Sequence, residues 1–301
     1  MWYNNHCLQR YHFRMEVQQM TKKLELSLEK QLLRKQDFLV TQANDLAKAF
    51  GNLSNQEHRL LDYMIAEVQP HDTLDTTYHI TVLELRKFFG LNHSGKTYEN
   101  LISSMKNLNE KTALYIPYQR KDGTQAVIMT SLFSYIDFGA DGNIYYKFSE
   151  MVAPFVFKLK KNFYSFRLLE LSQIKSKYAL ILLKLWNANA MGKWRDYTKP
   201  NQLPPNLKLE ASLEDWETWL LGYDKDGNPR RWVAGQFKAR ALMRGVNELQ
   251  RIFPYGFFRL TTLLNGRVVT GFRLEIKMLN SNVPMDAGIL QEKEQVQLNY
   301  E

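Results

Sequence analysis

The chain carries one order of local signals twice. In the first pass, Ser54-x-x-Glu57 has the capping-box form, in which a hydroxyl and a carboxylate reciprocally satisfy helix N–H groups. It predicts a helix with Leu60, Leu61, Met64, Ile65 and Val68 on one stripe, stopped by Pro70. Thr81-x-x-Glu84 is a second capping box, and Gly90 ends the short helix it opens. A third helix starts near Ser94, with Tyr98, Leu101, Ile102, Met105 and Leu108 inward. Strand-like segments follow over Leu114–Tyr118, Ala126–Phe138 and Ile144–Phe148, divided by Asp122-Gly123 and Asp141-Gly142 turns.

The second pass begins near Phe163. An apolar helix is predicted over Ile174–Trp186, and a proline-rich loop (Pro200, Pro204, Pro205) follows. Leu213–Leu221 is a short helix capped by Ser212, and Ala234–Ile252 a longer one before Pro254. Phe257–Leu264 and Arg267–Lys277 flank Asn265-Gly266, a strong two-residue hairpin signal. Three helices and a hairpin, repeated, describe an α+β chain of two tandem winged-helix domains. The 301-residue length suits two such units. The expected organisation is an N-terminal arm over 1–36, a first domain over 37–150, a second over 151–280, and an acidic tail over 281–301.

Charge separates the two passes. Residues 1–157 hold 17 Lys/Arg and 17 Asp/Glu, whereas residues 158–280 hold 22 and 10. A basic second half is the footprint of a phosphate-backbone binder. Its placement sharpens the reading. With about 100° per residue and Phe237 at zero, Leu242, Val246, Leu249 and Phe253 fall between about 120° and 180°, the core side. Arg240, Arg244, Asn247 and Arg251 fall between about 280° and 340°, the solvent side. Arginine and asparagine can form bidentate hydrogen bonds with guanine and adenine edges in a major groove. Arg230 and Arg231 upstream suit phosphates, and Arg267 lies on the wing. The helix after Ser94 offers Lys96, Asn100, Ser103 and Asn107 more weakly, with Arg120 and Lys121 at a hairpin tip.

Other chemistry is sparse. Gly90 to Thr97 matches G-x-x-x-x-G-K-[ST], with Lys96 in the phosphate-binding place. The preceding stretch, Leu83 to Phe89, carries three charges at helical spacing and is not the buried strand a nucleotide site requires. Cys7 is the single cysteine, and the histidines (His6, His12, His58, His71, His79, His93) lack metal-ligand spacing. We therefore expect no cofactor, metal or catalysis. No apolar run approaches the length of a membrane span and no secretory signal is evident, so a cytoplasmic home is expected.

Several runs resemble a known family. Phe163-Tyr164-Ser165-Phe166-Arg167-Leu168 through Ile174-Lys175-Ser176-Lys177-Tyr178-Ala179 is similar to the signature opening the second winged-helix domain of iteron-plasmid replication initiators. Phe237-Lys238 through Val246-Asn247-Glu248-Leu249 resembles that family's recognition helix. Phe38 to Leu46 and Leu53 to Leu61 are similar to the opening of its first domain. The resemblance spans about residues 36–280. The long N-terminal arm and the loop from Gly192 to Lys208 depart from it. It implies a non-enzymatic initiator that binds directly repeated double-stranded origin DNA, with the second domain as main reader. It further implies a monomer–homodimer equilibrium, autorepression, origin opening, and recruitment of a host initiator and replicative helicase. The DNA contacts it implies are Lys175, Lys177 and Tyr178, with Lys238 and the Arg240, Arg244, Asn247 and Arg251 face. A plain winged-helix repressor and, more remotely, an ATPase using Gly90–Thr97 are the competing readings.

Overall fold

The computed structural model describes residues 39–43, 46–49, 51–69, 71–110, 114–152, 155–157, 163–167, 171, 173–190, 206–224 and 228–278. The expected arm over 1–36, the tail over 281–301 and most of the 192–208 loop lie outside them.

The first half begins with β1 (Leu39–Ala43), α1 (Leu46–Ala49) and α2 (Asn55–Ala66). Ser54 caps α2 through the full reciprocal box, and Thr81 caps α3 (Val82–Phe88) in the same way. Helix α4 (Gly95–Glu110) starts beneath Ser94, whose Oγ accepts from the Thr97 amide at 3.2 Å. Between α2 and α3 runs β2 (Tyr78–Thr81), a strand that local pattern did not reveal. It pairs with β6 (Asn143–Phe148), which pairs with β5 (Phe133–Phe138), giving a three-stranded wing. The long Ala126–Phe138 segment is interrupted at Ser131 and Leu132. Its first part, β4 (Gln125–Thr130), forms a separate hairpin with β3 (Leu114–Gln119).

The second half repeats the plan. Strand β7 (Phe163–Arg167) leads to α5 (Lys177–Ala188), which starts at Ser176 and not at Ile174, because the Ser176 hydroxyl accepts from the Tyr178 amide. Strand β8 (Leu207–Ser212) runs straight into α6 (Leu213–Leu221) through the Ser212 cap, as β2 runs into α3 through Thr81. Then come α7 (Ala234–Phe237), a π-helical turn (Lys238–Leu242), α8 (Met243–Ile252), β9 (Gly256–Asn265) and β10 (Val268–Met278). The sheet order is β8-β10-β9.

The π turn corrects one expectation. Uniform winding turns Phe237 away from the core side, yet Phe237 is fully buried along with Ala241, Leu242, Val246 and Leu249. Bonding from i to i+5 takes in an extra residue per turn, which carries Phe237 round to the side of Leu242.

The described buried side chains of both halves form one contiguous core. Tyr146 donates from its hydroxyl to the Met64 carbonyl, tying the first wing to α2. Trp216 Nε1 donates to the Phe272 carbonyl, tying α6 to β10. The halves also meet directly. Strands β1 and β7 pair antiparallel, Leu39 opposite Arg167. The Asn52 side-chain oxygen accepts from the Tyr223 amide. Lys184 Nζ on α5 lies 2.7 Å from Asp62 Oδ1 on α2, both side chains fully buried.

Candidate nucleic-acid interface

Helix α8 owes its place to two residues that face inward. Gly245 sits against α5 so closely that an added Cβ would lie 2.7 Å from Leu182 Cδ1 and 3.0 Å from the Tyr178 backbone carbon. Glu248 turns its carboxylate to the start of α5, accepting from the amides of Lys175 (2.5 Å) and Ser176 (3.0 Å). These are N–H groups a helix start leaves unsatisfied, and a negative charge suits that end of the helix dipole. The one acidic residue of α8 is thereby buried and spent on positioning.

What α8 leaves outside is basic. Arg240, Arg244, Asn247 and Arg251 are all exposed, on one face as the sequence predicts. Arg251 folds back to donate to the Asn247 carbonyl at 3.3 Å. Tyr178 is half-buried beside this face. Burial pushes its hydroxyl pKa up, and the nearby Arg244 charge opposes that. Lys175 is exposed next to it, Lys238 is half-exposed at the start of the π turn, and Arg230 is exposed upstream. Arg267 is exposed at the tip of the β9–β10 hairpin, where Gly266 takes φ 61°. Together these groups make an exposed helix flanked by a wing, the geometry that lays side chains on groove edges while neighbouring cations reach phosphates.

Other expected contacts are placed elsewhere. Lys177 turns into the joint between the halves, its Nζ donating to the Gly51 carbonyl at 3.0 Å. Burial, with help from Arg230, holds its pKa down to about 8 against a weaker opposing pull from Glu57. It fastens the first half to α5. Arg231 is tied to α6: its guanidinium donates to the Glu214 carboxylate at 2.7 Å and to Thr218 Oγ1 at 3.0 Å, with Glu217 at 3.7 Å. Asn107 is rotated inward from the expected outer face of α4, donating to Glu57 Oε1 at 2.9 Å.

On α4 the remaining residues, Lys96, Asn100 and Ser103, are exposed. Arg120 and Lys121 are exposed at the β3–β4 turn, which Gly123 closes at φ 87°. The Gly90–Thr97 segment joins two helices: Gly90 terminates α3 at φ 63°, and Ser94 and Thr97 bond to each other at the start of α4. No buried strand precedes it, so the phosphate cradle of a nucleotide site is not formed. Among the described residues, no cluster of His, Cys, Asp and Glu could hold a metal, and no helix is long and apolar enough to cross a membrane.

Sequence reasoning missed Glu248, Gly245, Asp62 and Lys184 as positioning residues. An acidic side chain within an otherwise basic helix was the available signal for Glu248.

Comparison with known proteins bears on this geometry. The family described as initiator replication protein, WH1, matches residues 39–187. A solved structure of Pi initiator protein in complex with iteron DNA is similar at a TM-score of 0.62 and 17% identity, covering 81% of this chain and 98% of that one. The WH1 domain of MSBI1.176, a replication protein isolated from a multiple sclerosis patient, matches at 0.27 and 16%, covering 34% and 77%. Domains 2 and 3 of RctB match at 0.33 and 10%, covering 79% and 85%. No curated protein matches the chain in sequence. The first of these likenesses takes in both halves and establishes the tandem winged-helix fold.

Proposed function

We propose, on the premise that the chain belongs to the initiator replication protein family, that it initiates plasmid replication by binding directly repeated origin DNA. The observation that carries this reading is the outer face of α8 and of the π turn that leads into it, where Arg240, Arg244 and Asn247 are exposed while Glu248 is turned inward. A helix whose exposed charge is wholly positive is attracted to a phosphate-lined groove, and its side chains suit purine edges. The likeness to an initiator whose solved complex contains iteron DNA supports the choice of ligand.

In this reading α8 enters a major groove of the repeat, and Arg244, Asn247 and Arg240 meet base edges. Lys175, Tyr178, Arg230, Lys238, Arg251 and Arg267 serve the phosphates beside it. Helix α4 addresses a second segment through Lys96, Asn100 and Ser103, with Arg120 and Lys121 on phosphates. The domains divide near residue 150, and the chain binds repeats as a monomer and pairs otherwise. It works in the cytoplasm, opens the origin by binding without catalysing a reaction, recruits a host initiator and helicase, and represses its own gene.

The experiment is a fluorescence-anisotropy titration against tiled duplexes from the parent replicon, at two salt concentrations with unrelated competitor DNA. Tight, competitor-resistant binding confined to a repeated segment is expected. Weak, uniform, salt-sensitive binding would overturn the reading. Tight binding to a single unrepeated site at the chain's own promoter would indicate a repressor.

A further inference from the structure

The arginines on the outer side of α8 have no counter-ion within the fold. Elsewhere in the same half, Arg231 and Arg273 each hold a carboxylate at 2.7 Å, that of Glu214 and of Glu210. Among the described residues no carboxylate meets Arg240, Arg244 or Arg251. Glu248, the one acid of α8, is buried at the start of α5. Like charges gathered on one exposed face repel one another, so the face favours an anion laid along it.

The chain itself supplies such an anion. Residues 281–301 carry Asp286, Glu292, Glu294 and Glu301 against a single lysine, Lys293. They lie outside the described residues, but the point from which they start is fixed. Met278, the last residue of β10, pairs with Gly256, whose amide donates to the Phe253 carbonyl at 2.9 Å. Phe253 is the C-cap of α8, two residues after Arg251. The chain therefore leaves the sheet beside the end of α8 that bears Arg251. Tyr255, 50% exposed at this corner, leaves an apolar surface beside the exit.

Reach is ample. From Arg240 to Arg251 the helix extends about 16 Å at about 1.5 Å per residue. The eight residues from Leu279 to Asp286 span up to about 26 Å at about 3.3 Å each, and Glu292 and Glu294 lie farther along. A short tether holds its end at an effective concentration of about millimolar, so individually weak contacts are populated. A carboxylate accepts both prongs of a guanidinium, the same fork that meets a phosphate or a guanine edge.

We propose that the acidic segment 281–301 folds back along the outer face of α8 and its π turn, its carboxylates holding Arg251, Arg244 and Arg240 until DNA displaces them. This rests on the DNA-binding reading above and adds to it an intramolecular competitor. Apparent affinity is the intrinsic affinity scaled by the fraction of molecules with the face open. The segment therefore lowers affinity for the repeat and for unrelated DNA by one factor, and sets the strength of binding without altering sequence preference. Salt weakens the fold-back as it weakens DNA binding, so the competitor acts most at low salt.

The test uses the full-length chain and a tail-neutral version of it, Asp286→Asn/Glu292→Gln/Glu294→Gln/Glu301→Gln. Carbodiimide coupling joins a carboxylate to a lysine only where the two touch. Lys175 is exposed and Lys238 half-exposed beside the arginine face. Mass spectrometry of DNA-free wild type, mixed with isotope-labelled copies, should find Glu292 or Glu294 joined to Lys175 or Lys238 of the same molecule. The repeat duplex should suppress that coupling about tenfold by occupying the face. At about 50 mM salt the tail-neutral chain should bind the repeat and a permuted duplex about tenfold tighter than wild type, and at about 200 mM within about twofold. On an Arg240→Ala/Arg244→Ala background the gain should shrink to about twofold or less, because the two changes remove the same contacts.

Absence of the couplings would overturn the inference, as would coupling found only between labelled and unlabelled copies, which would assign the segment to a second copy of the chain. An undiminished gain on the arginine-less background would reduce the effect to overall charge and overturn it as well. With wild type still preferring the repeat, each of these results leaves the DNA-binding reading intact. Intramolecular coupling in a wild type that shows no such preference would remove that reading and leave the contact standing.

Discussion

Lys184→Met, made alone, takes away the ammonium that faces Asp62 across the joint between the halves. The two atoms stand 2.7 Å apart and neither side chain is exposed. Burial holds the Lys184 pKa below the usual lysine range, with Asp62 opposing that shift. Taking one partner from a buried pair costs about 3–5 kcal/mol, because the remaining charge stays in a low-dielectric interior. Against a total stability of roughly 5–15 kcal/mol, that is a large loss. Replacing both partners by apolar residues of similar volume is neutral or stabilising by about 1–4 kcal/mol. The prediction is therefore a double-mutant cycle. Lys184→Met and Asp62→Leu should each lower the guanidinium midpoint strongly, and the double variant should recover to wild type or beyond. A single variant costing under about 1 kcal/mol, or a double variant no better than the singles, would refute the buried joint described here.

Gly245→Ala should destabilise by about 1–3 kcal/mol, since backbone atoms of Tyr178 and Ala179 block the new methyl; thermal unfolding reads this directly. Stability should depend on pH in two opposed ways above neutrality. Lys177 holds its proton less tightly folded (about 8) than unfolded (10.5), so its contribution rises as pH climbs between those values. Burial raises the hydroxyl pKa of Tyr63 and Tyr146, so the unfolded chain loses those protons first and stability falls above about pH 10. Denaturation midpoints from pH 7 to 11 should pass through a maximum, and Lys177→Met should flatten the rising limb, to which the lowered Lys184 also contributes. Lys121→Ala should weaken all duplexes alike and flatten the log–log salt slope by ~1, if that residue meets a phosphate.

Much of this fold is local and could be read in advance. The Ser54, Thr81 and Ser212 caps depend on neighbours within three residues, and each sits where spacing put it, whereas the hairpin turn expected at Asn265-Gly266 falls one residue on, at Gly266-Arg267, because Asn265 pairs with Val268. The outer face of α8 was equally legible, because helical periodicity alone separates Arg244 from Val246. What escaped was nonlocal. Strands β2 and β8 are short and find their partners far along the chain, Tyr78 at Tyr146 and Leu207 at Ile276. Asn107 looked outward on a helical wheel until Glu57, fifty residues earlier, gave it a partner within. Lys177 and Arg231 read as cations for DNA, yet Gly51 and Glu214 claim them across the tertiary structure. The π turn is likewise not written in the local pattern, which regular winding would satisfy; it accompanies the packing of Phe237 against Phe272 on the sheet.

Helix α8 is the element proposed to read sequence. Its most direct test is competition binding of wild type, Arg240→Ala and Arg244→Ala to the repeat and to a permuted duplex of equal composition. Each variant should lose about 1–3 kcal/mol on the repeat and far less on the permuted duplex, so that the ratio between the two collapses. Equal losses on both duplexes, or none on either, would contradict the assignment of sequence reading to this helix.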